Sequence, residues 1–196
     1  MGKPHEQRQQ EIVEAALELA AEQGVKKVTT QAIADRVGIA QPTVFRHFPN
    51  RDAIFAAAID WLARGLFAAL GAFFTGSGPA DERLRELIRA QLAFIERNKG
   101  LPRILFSDRL HLESPVLKAA VQRIMRRYME QIASLVRAGQ AEGRFRSDLD
   151  PEVTARHVAA LIQGTVMRWS IFDFGFSLED EAEALWAFLA RSLHGE

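Results

Sequence analysis

Three polar side chains with distinct chemistry, Gln41, Thr43 and Arg46, lie close together in one short stretch of the chain. Glutamine can pair with adenine through two hydrogen bonds, threonine can meet a thymine methyl group or a phosphate, and arginine suits guanine or phosphate. If the stretch is a helix packed on a neighbour, these side chains point outward. The pattern predicts contact with DNA bases and phosphates; the alternative is an ordinary solvated helix face.

Two short helices joined by a tight turn are predicted to position these side chains. Thr29 and Thr30 are both suitable N-caps for a helix that ends near Val37. Gly38 then breaks the chain, and a second helix runs from about Gln41 to His47, since a proline is tolerated in a first turn. This is helix-turn-helix geometry, in which one face of the second helix can enter a major groove. The apolar residues expected to lock the pair are Ile33, Val37, Ile39, Val44 and Phe48.

Helical spacing recurs along the whole chain, and alternating strand patterns are almost absent. We therefore predict an all-α fold of about nine helices, with three in a small N-terminal unit and six behind it. The predicted domains are residues 1–50, which bind DNA, and 51–196, with the fourth helix as connector. Helices are expected at about 5–23, up to 37, 41–47, 51–74, 80–98, 102–109, 114–141, 151–172, and from 177 or 178 to 193.

Composition limits the class of protein without identifying it. Hydrophobic residues make up 48% and charged residues 26% of the 196 residues, which is ordinary for a globular protein. There is no cysteine, so no disulfide forms. The polar start shows no signal peptide, no uninterrupted apolar run approaches the ~20 residues of a membrane span, and a cytoplasmic protein is expected.

Net charge gives no sign of a nucleic-acid partner. The formal net charge is zero, and residues 1–60 hold seven lysines and arginines against eight aspartates and glutamates. DNA contact must therefore depend on the local placement of cations and on oriented backbone dipoles.

The stretch around the two short helices is similar to the TetR family over roughly residues 8–60. Three features identify the family more specifically than a bare helix-turn-helix does. They are the aromatic residue Phe45, the His47-Phe48 pair, and the Asn-basic-acidic helix start at Asn50. The chain departs from the family at Ala40, where a capping serine is frequent, and at Phe45, where tyrosine is frequent. The matching residues are Thr30, Ile33, Ala34, Val37, Gly38, Ile39, Thr43, Val44, Phe45, His47, Phe48, Asn50, Arg51, Asp52, Ala53 and Ile54.

The resemblance implies a homodimeric repressor whose paired recognition helices bind a palindromic operator in double-stranded DNA. It also implies a C-terminal domain that holds a small-molecule effector, whose binding releases the DNA. Arg51 stands where the family usually has a lysine that touches phosphate, at a helix start that itself favours an anion. The candidate DNA-binding residues are Thr29, Thr30, Gln41, Pro42, Thr43, Phe45, Arg46, His47 and Arg51.

The C-terminal region supplies candidates of lower specificity. A lipophilic or aromatic effector is expected from the apolar helices, although the same residues suit a core or a dimer interface. The candidate effector residues are Phe106, His111, Met125, Tyr128, Trp169 and Phe172. The candidate dimer residues, on the last two helices, are Val158, Leu161, Ile162, Thr165, Leu185, Phe188 and Leu189. Gly164 within the first of these helices suggests a close helix crossing.

Two other functions compete with the repressor. An enzyme is disfavoured because we find no glycine-rich phosphate loop, nucleophile elbow or base–nucleophile pair. Asp108, His111 and His157 lack metal-ligand spacing, so we predict neither a metal nor a cofactor. A DNA-binding protein that has no effector and acts architecturally or through a protein partner remains open. A ligand-dependent change in operator affinity separates it from the repressor.

Overall fold

Nine α-helices account for most of residues 4–194, which are the residues that the computed structural model describes, and the all-α prediction is confirmed. A 3-10 turn (Val25–Lys27) follows α1, and a π-helical turn (Arg109–Glu113) precedes α7. The helices are α1 His5–Gln23, α2 Thr30–Val37, α3 Gln41–His47, α4 Arg51–Thr75, α5 Ala80–Arg97, α6 Gly100–Leu105, α7 Pro115–Ala141, α8 Pro151–Ile171 and α9 Glu181–Leu193.

The predicted bounds are wrong mainly at α6 and α9. We expected α6 to begin at Pro102, but it begins at Gly100, because amides of a first turn need no intrahelical partner and a proline is accepted there. The end predicted at residue 109 falls in the π-helical turn instead. The segment before α9 is a separate turn, in which the Asp180 amide donates to Ser177 Oγ at 3.3 Å.

The first of two compact units comprises residues 4–64 and 98–122 of the described chain. Its core is fully buried and includes Ile12, Ala16, Ile33 and Val44. The unit joins α1, α2 and α3 to α6, although α6 lies far from them in sequence. Gly100 explains the close approach, since a Cβ atom added there would lie 2.5 Å from the Leu17 carbonyl oxygen of α1.

The second unit comprises residues 65–97 and 123–194 and contains α5, α8, α9 and most of α7. Leu84, Leu87 and Leu92 of α5 are fully buried, as the spacing of an amphipathic helix requires. Two polar groups in this core have partners: Trp169 Nε1 donates to the Phe176 carbonyl at 2.8 Å, and the Tyr128 hydroxyl donates to Gln91 at 2.5 Å. These two groups are paired, whereas Asp81 Oδ1 and Arg83 Nε are buried in this unit without a hydrogen-bond partner among the described residues.

Helix α4 meets the length and composition criteria of a membrane span, with a mean hydropathy of 1.6 and one third of the tested window buried. Asp60 and Arg64 interrupt the apolar run of this helix. The criterion is weak support for a membrane location, since core helices of globular proteins meet it as well.

Candidate nucleic-acid interface

Helices α2 and α3 form the predicted helix-turn-helix, packed on α1. Thr29 is the N-cap of α2, and its Oγ1 accepts from the Ala32 amide at 3.0 Å. Gly38 ends α2 with φ +72° and ψ 40°, a left-handed conformation that favours glycine. The Ile39 amide then donates to the Ala34 carbonyl at 3.0 Å, so the turn is tight and its direction is fixed.

Helix α3 buries one side and exposes the other. Val44 is fully buried and Phe48 nearly so, which fastens α3 against its neighbours. Pro42 and Arg46 are exposed, as is Phe45 at 48%. Gln41, Thr43 and His47 are half-buried. Ala40 provides no side-chain cap, as the sequence indicated, but its carbonyl accepts from the Thr43 amide at 2.8 Å.

Two internal hydrogen bonds engage the candidate base-contacting side chains. Gln41 Nε2 donates to Thr30 Oγ1 at 2.8 Å, and Arg46 Nη2 donates to Thr43 Oγ1 at 3.0 Å. Sequence analysis missed both bonds, although Thr43 and Arg46 are three residues apart on one helix and are neighbours on its surface. The structure thus brings four of the predicted residues together in two bonded pairs.

His47 closes α3 in a crowded cationic environment. Its ring centroid lies 4.5 Å from that of His5, and its Nδ1 is buried without a partner among the described residues. Burial lowers the pKa of His47, and the nearby charges of His5, Arg8 and Arg46 lower it further. The ring is therefore neutral near pH 7, and an N–H group can donate to a phosphate without adding positive charge.

The start of α4 is capped and tied to the loop before α2. Asn50 Oδ1 accepts from the Ala53 amide at 2.9 Å and so caps this helix start. Arg51 is half-buried, and its Nη1 donates to the Val28 carbonyl at 3.1 Å. Burial of its guanidinium, followed by the charge of Arg109, lowers the pKa of Arg51. Arg51 therefore has a role within the fold in addition to any contact with phosphate.

Arg36 is paired with two carboxylates, so its positive charge is offset within the first unit. Arg36 on α2 contacts Glu18 at 3.0 Å and Glu22 at 2.5 Å, both on α1. Hydrogen bonds that Arg36 donates to the two carboxylates raise the pKa of Arg36 above its ordinary value. The arginine fastens α2 to α1, while Lys26 and Lys27 remain exposed in the turn before α2.

The candidate effector residues fall in both compact units. In the first, Phe106 is half-buried and His111 is exposed. In the second, Met125 is half-buried, whereas Tyr128 and Trp169 are buried in the core. Phe172 is 65% exposed, so in the single chain its ring lines no enclosed cavity. Sequence analysis missed Gln91, the buried partner of Tyr128, because α5 and α7 are far apart in the chain.

The candidate dimer residues divide between the core and the surface of the second unit. Val158, Ile162 and Leu189 are buried within the single chain. Leu161, Thr165 and Leu185 are half-buried. Phe188 is 60% exposed and lines an apolar groove of about 350 Å³, as does Leu161. Among the described residues of this unit, Met167 and Ile171 are exposed large apolar residues that the sequence did not single out.

Comparison with known proteins identifies relatives over both regions. Residues 12–58 match the bacterial regulatory proteins of the tetR family. Residues 77–191 match the tetracyclin repressor-like C-terminal domain. The nucleoid occlusion factor SlmA of Vibrio vulnificus is 25% identical over 193 residues, which is 98% of each chain.

Solved structures of regulators share the fold at low identity. A transcriptional regulator from Saccharomonospora viridis, in complex with choline, matches with a TM-score of 0.85 and 24% identity over 97% of this chain and all of that one. The regulator FadR from Bacillus subtilis, in complex with stearoyl-CoA, matches with a TM-score of 0.80 and 20% identity over 94% and 99% of the two chains.

Proposed function

Because the chain belongs to the TetR family of bacterial regulatory proteins, we propose that it is a repressor that binds a palindromic operator as a homodimer and is released by a small molecule. The observation that carries the proposal is the outward side of α3, where Gln41, Thr43 and Arg46 are held on a capped helix-turn-helix. Regulators of this family are not enzymes, and we assign no catalytic role.

We propose that residues 1–50 contact DNA in two ways. Gln41, Thr43 and Arg46 meet base edges in the major groove, where their amide, methyl and guanidinium groups discriminate between bases. Contacts to phosphate position residues 1–50 on the duplex but do not discriminate between base sequences. The residues assigned to phosphate or to the groove wall are Thr29, Thr30, Pro42, Phe45, His47 and Arg51.

We propose that residues 51–196 bind the effector and form the dimer, with α4 as connector. A lipophilic or aromatic effector suits Met125 and the buried Tyr128–Gln91 pair of the second unit, which offers one polar contact in an apolar core. The complexes of the two structural relatives, one with stearoyl-CoA and one with choline, show that this fold accepts chemically different ligands. The chain needs no membrane partner in this proposal, and it acts in the cytoplasm.

A DNA-binding protein without an effector is the second candidate. The similarity to a nucleoid occlusion factor over nearly the whole of both chains favours it. In that case the second unit would bind a protein partner, and no small molecule would alter the affinity for DNA. The DNA-facing side of α3 would act in the same way under both proposals.

One experiment separates the two candidates. A duplex selected from a random pool serves as operator, and small molecules that raise the melting temperature of the purified protein serve as effectors. Calorimetric titration of an effector is then performed with and without the duplex. A repressor must show weaker effector binding on DNA by the same factor that the effector weakens DNA binding. Unchanged effector affinity on the DNA complex would leave the protein without an effector-linked function.

A further inference from the structure

Three side chains of the first unit, Asp52, Arg109 and Ser114, form a bonded cluster at the first turn of α4. Asp52 Oδ1 accepts from Arg109 Nε at 2.8 Å and also from Arg109 Nη2. Asp52 Oδ2 accepts from Ser114 Oγ at 2.9 Å. Both oxygens of one carboxylate are thus bonded to a segment 57 and 62 residues further along the chain.

The side chains of the cluster are largely shielded from water, which strengthens the hydrogen bonds between them. Ser114 is only 3% exposed, and the side chains of Arg109 and Asp52 are 22% and 31% exposed. By contrast, the Arg85–Glu183 pair of the second unit has side chains about half exposed. Exposed ion pairs contribute little, whereas a carboxylate that accepts from an arginine and a hydroxyl in a partly dry site is held firmly.

The π-helical turn explains how two residues of one segment reach the same carboxylate. The Ser114 amide donates to the Arg109 carbonyl at 2.9 Å, which closes a turn five residues wide. That wide turn brings the Arg109 and Ser114 side chains together, which an α-helical turn would not do. Single π-helical turns are rare and occur often at functional sites. Here the turn places the Arg109 and Ser114 side chains where both can bond to Asp52.

The residue before Asp52 is Arg51, which we propose contacts phosphate. Arg51 donates to the Val28 carbonyl, directly before the N-cap of α2. The first turn of α4 is therefore fastened to the helix-turn-helix through Arg51 and to the π-helical turn through Asp52. Burial and the charge of Arg109 lower the pKa of Arg51, and Asp52 opposes that effect, so these charges act on one another.

We infer that Asp52, Arg109 and Ser114 are positioning residues for DNA binding, which keep the first turn of α4 and the guanidinium of Arg51 in place for the operator. The inference rests on the proposed function. Arg109 also neutralises Asp52. Without Arg109, Asp52 would keep only the hydrogen bond from Ser114, and its uncompensated charge, one residue from Arg51, would compete with phosphate for the Arg51 guanidinium.

Operator titrations of three variants test this role. The probe is the duplex selected from a random pool, followed by fluorescence anisotropy at several salt concentrations. We expect Arg109→Ala to weaken binding about tenfold, with an unchanged salt slope because Arg109 touches no phosphate. Adding Asp52→Asn to Arg109→Ala should recover part of the affinity, because it removes the competing carboxylate. Arg85→Ala, which breaks an exposed pair, should bind like the wild type.

Each result either supports or overturns the positioning role of the cluster. Wild-type affinity in Arg109→Ala overturns the inference, and so does a fall in its salt slope by about one, which marks a direct phosphate contact. A double variant weaker than Arg109→Ala also overturns the role of Asp52. If Arg109→Ala loses its helical circular dichroism, Ser114→Ala replaces it, with an expected loss of about threefold at unchanged slope. Failure of the wild type to bind any duplex would instead contradict the proposed function.

Discussion

Arg51 and Thr43 illustrate two kinds of DNA contact at the scale of single residues. Arg51 lies at a helix start, where the backbone dipole adds to its attraction for phosphate. Thr43 lies on α3, with its hydroxyl bonded to Arg46. Replacing either with alanine should weaken operator binding, but by different routes that titration with salt and with altered duplexes can separate.

We predict that Arg51→Ala weakens binding to all sequences and lowers the salt slope by about one, because one phosphate contact is lost. Thr43→Ala should cost about 1–3 kcal/mol at the operator and relax the base preference at one position. Anisotropy titrations on operator and on unrelated duplex measure both effects. Equal losses on both duplexes in the two variants would show that these roles are misassigned.

His47 gives the first unit a predicted dependence on pH. Its pKa in the folded chain is below the ordinary value of about 6.5, because of burial and neighbouring cations. As pH falls below that value, the unfolded chain takes up a proton that the folded chain still excludes. The free energy of unfolding therefore decreases until pH passes the lowered pKa of His47, and it is unaffected by this group above neutral pH.

Urea denaturation between pH 5 and 7.5 measures this effect, with His47→Gln as the test variant. We expect the loss of stability on acidification to be smaller in His47→Gln than in the wild type. His157→Gln, which removes an exposed imidazole from α8, is the control. An identical pH dependence in His47→Gln and the wild type would contradict the assignment.

At the scale of elements, Gly100 and Gly71 should respond in opposite ways to the same substitution. A Cβ atom at Gly100 would lie 2.5 Å from the Leu17 carbonyl oxygen, and because both are backbone positions, α6 must move away from α1. A Cβ atom at Gly71 in α4 would meet nothing within 4 Å. Backbone contact thus forbids a side chain at one glycine and permits it at the other.

We predict that Gly100→Ala destabilises the chain by about 1–3 kcal/mol. Gly71→Ala should stabilise it by roughly 0.5–1 kcal/mol, because alanine favours the helix interior. Denaturant midpoints of the two variants and the wild type measure these changes. Gly100→Ala as stable as the wild type would mean that α6 does not rest directly on α1.

Local signals in the sequence predicted most helix bounds, and non-local contacts account for what they missed. Thr29, Gly38 and Asn50 act on their own neighbours through caps and turns, so the helix-turn-helix was predictable. The Asp52–Arg109 pair depends on how distant segments meet, and sequence spacing carries no such information. The π-helical turn was missed for the same reason, since its benefit comes from that pairing.

Helix α8 shows a second limit of periodicity. Its sequence has two apolar stripes, and spacing alone does not say which one faces the core. Val158 and Ile162 proved to be buried, while Met167 and Ile171 are exposed. Contacts with α5 and α9 decide between the stripes, and these contacts belong to the tertiary structure.

At the scale of the whole molecule, the exposed stripe of α8 and α9 favours a homodimer. Gly164 lies between Met167 and Leu161 on this side, and a Cβ atom there would meet nothing within 4 Å. Ile171 is 69% exposed and Phe188 is 60% exposed, which is costly for large apolar side chains in a lone chain. A second copy that packs its own α8 and α9 here would bury them in a four-helix bundle.

Light scattering at micromolar concentration should report about 44 kDa, which is twice the chain mass of 21.9 kDa. We expect Ile171→Asp to shift the mass toward one chain, because a carboxylate would be buried without a partner in the dimer. Leu112→Asp is the matched control, since Leu112 is 81% exposed in the first unit. A monomeric wild type, or an Ile171→Asp variant as dimeric as the wild type, would exclude this interface.

The hydrogen bonds of Gln41 to Thr30 and of Arg46 to Thr43 have a consequence for how the protein searches a genome. Almost all the DNA it meets is noncognate, and phosphate contacts suffice to hold it there. We predict that both side chains keep their internal partners during sliding, so that passing bases exert little friction on the moving protein. Only a site whose base edges offer better partners rewards opening the two bonds. Removing the Thr43 hydroxyl should therefore shorten the pause at the operator and slow one-dimensional diffusion, because Arg46 without its internal partner can meet passing bases.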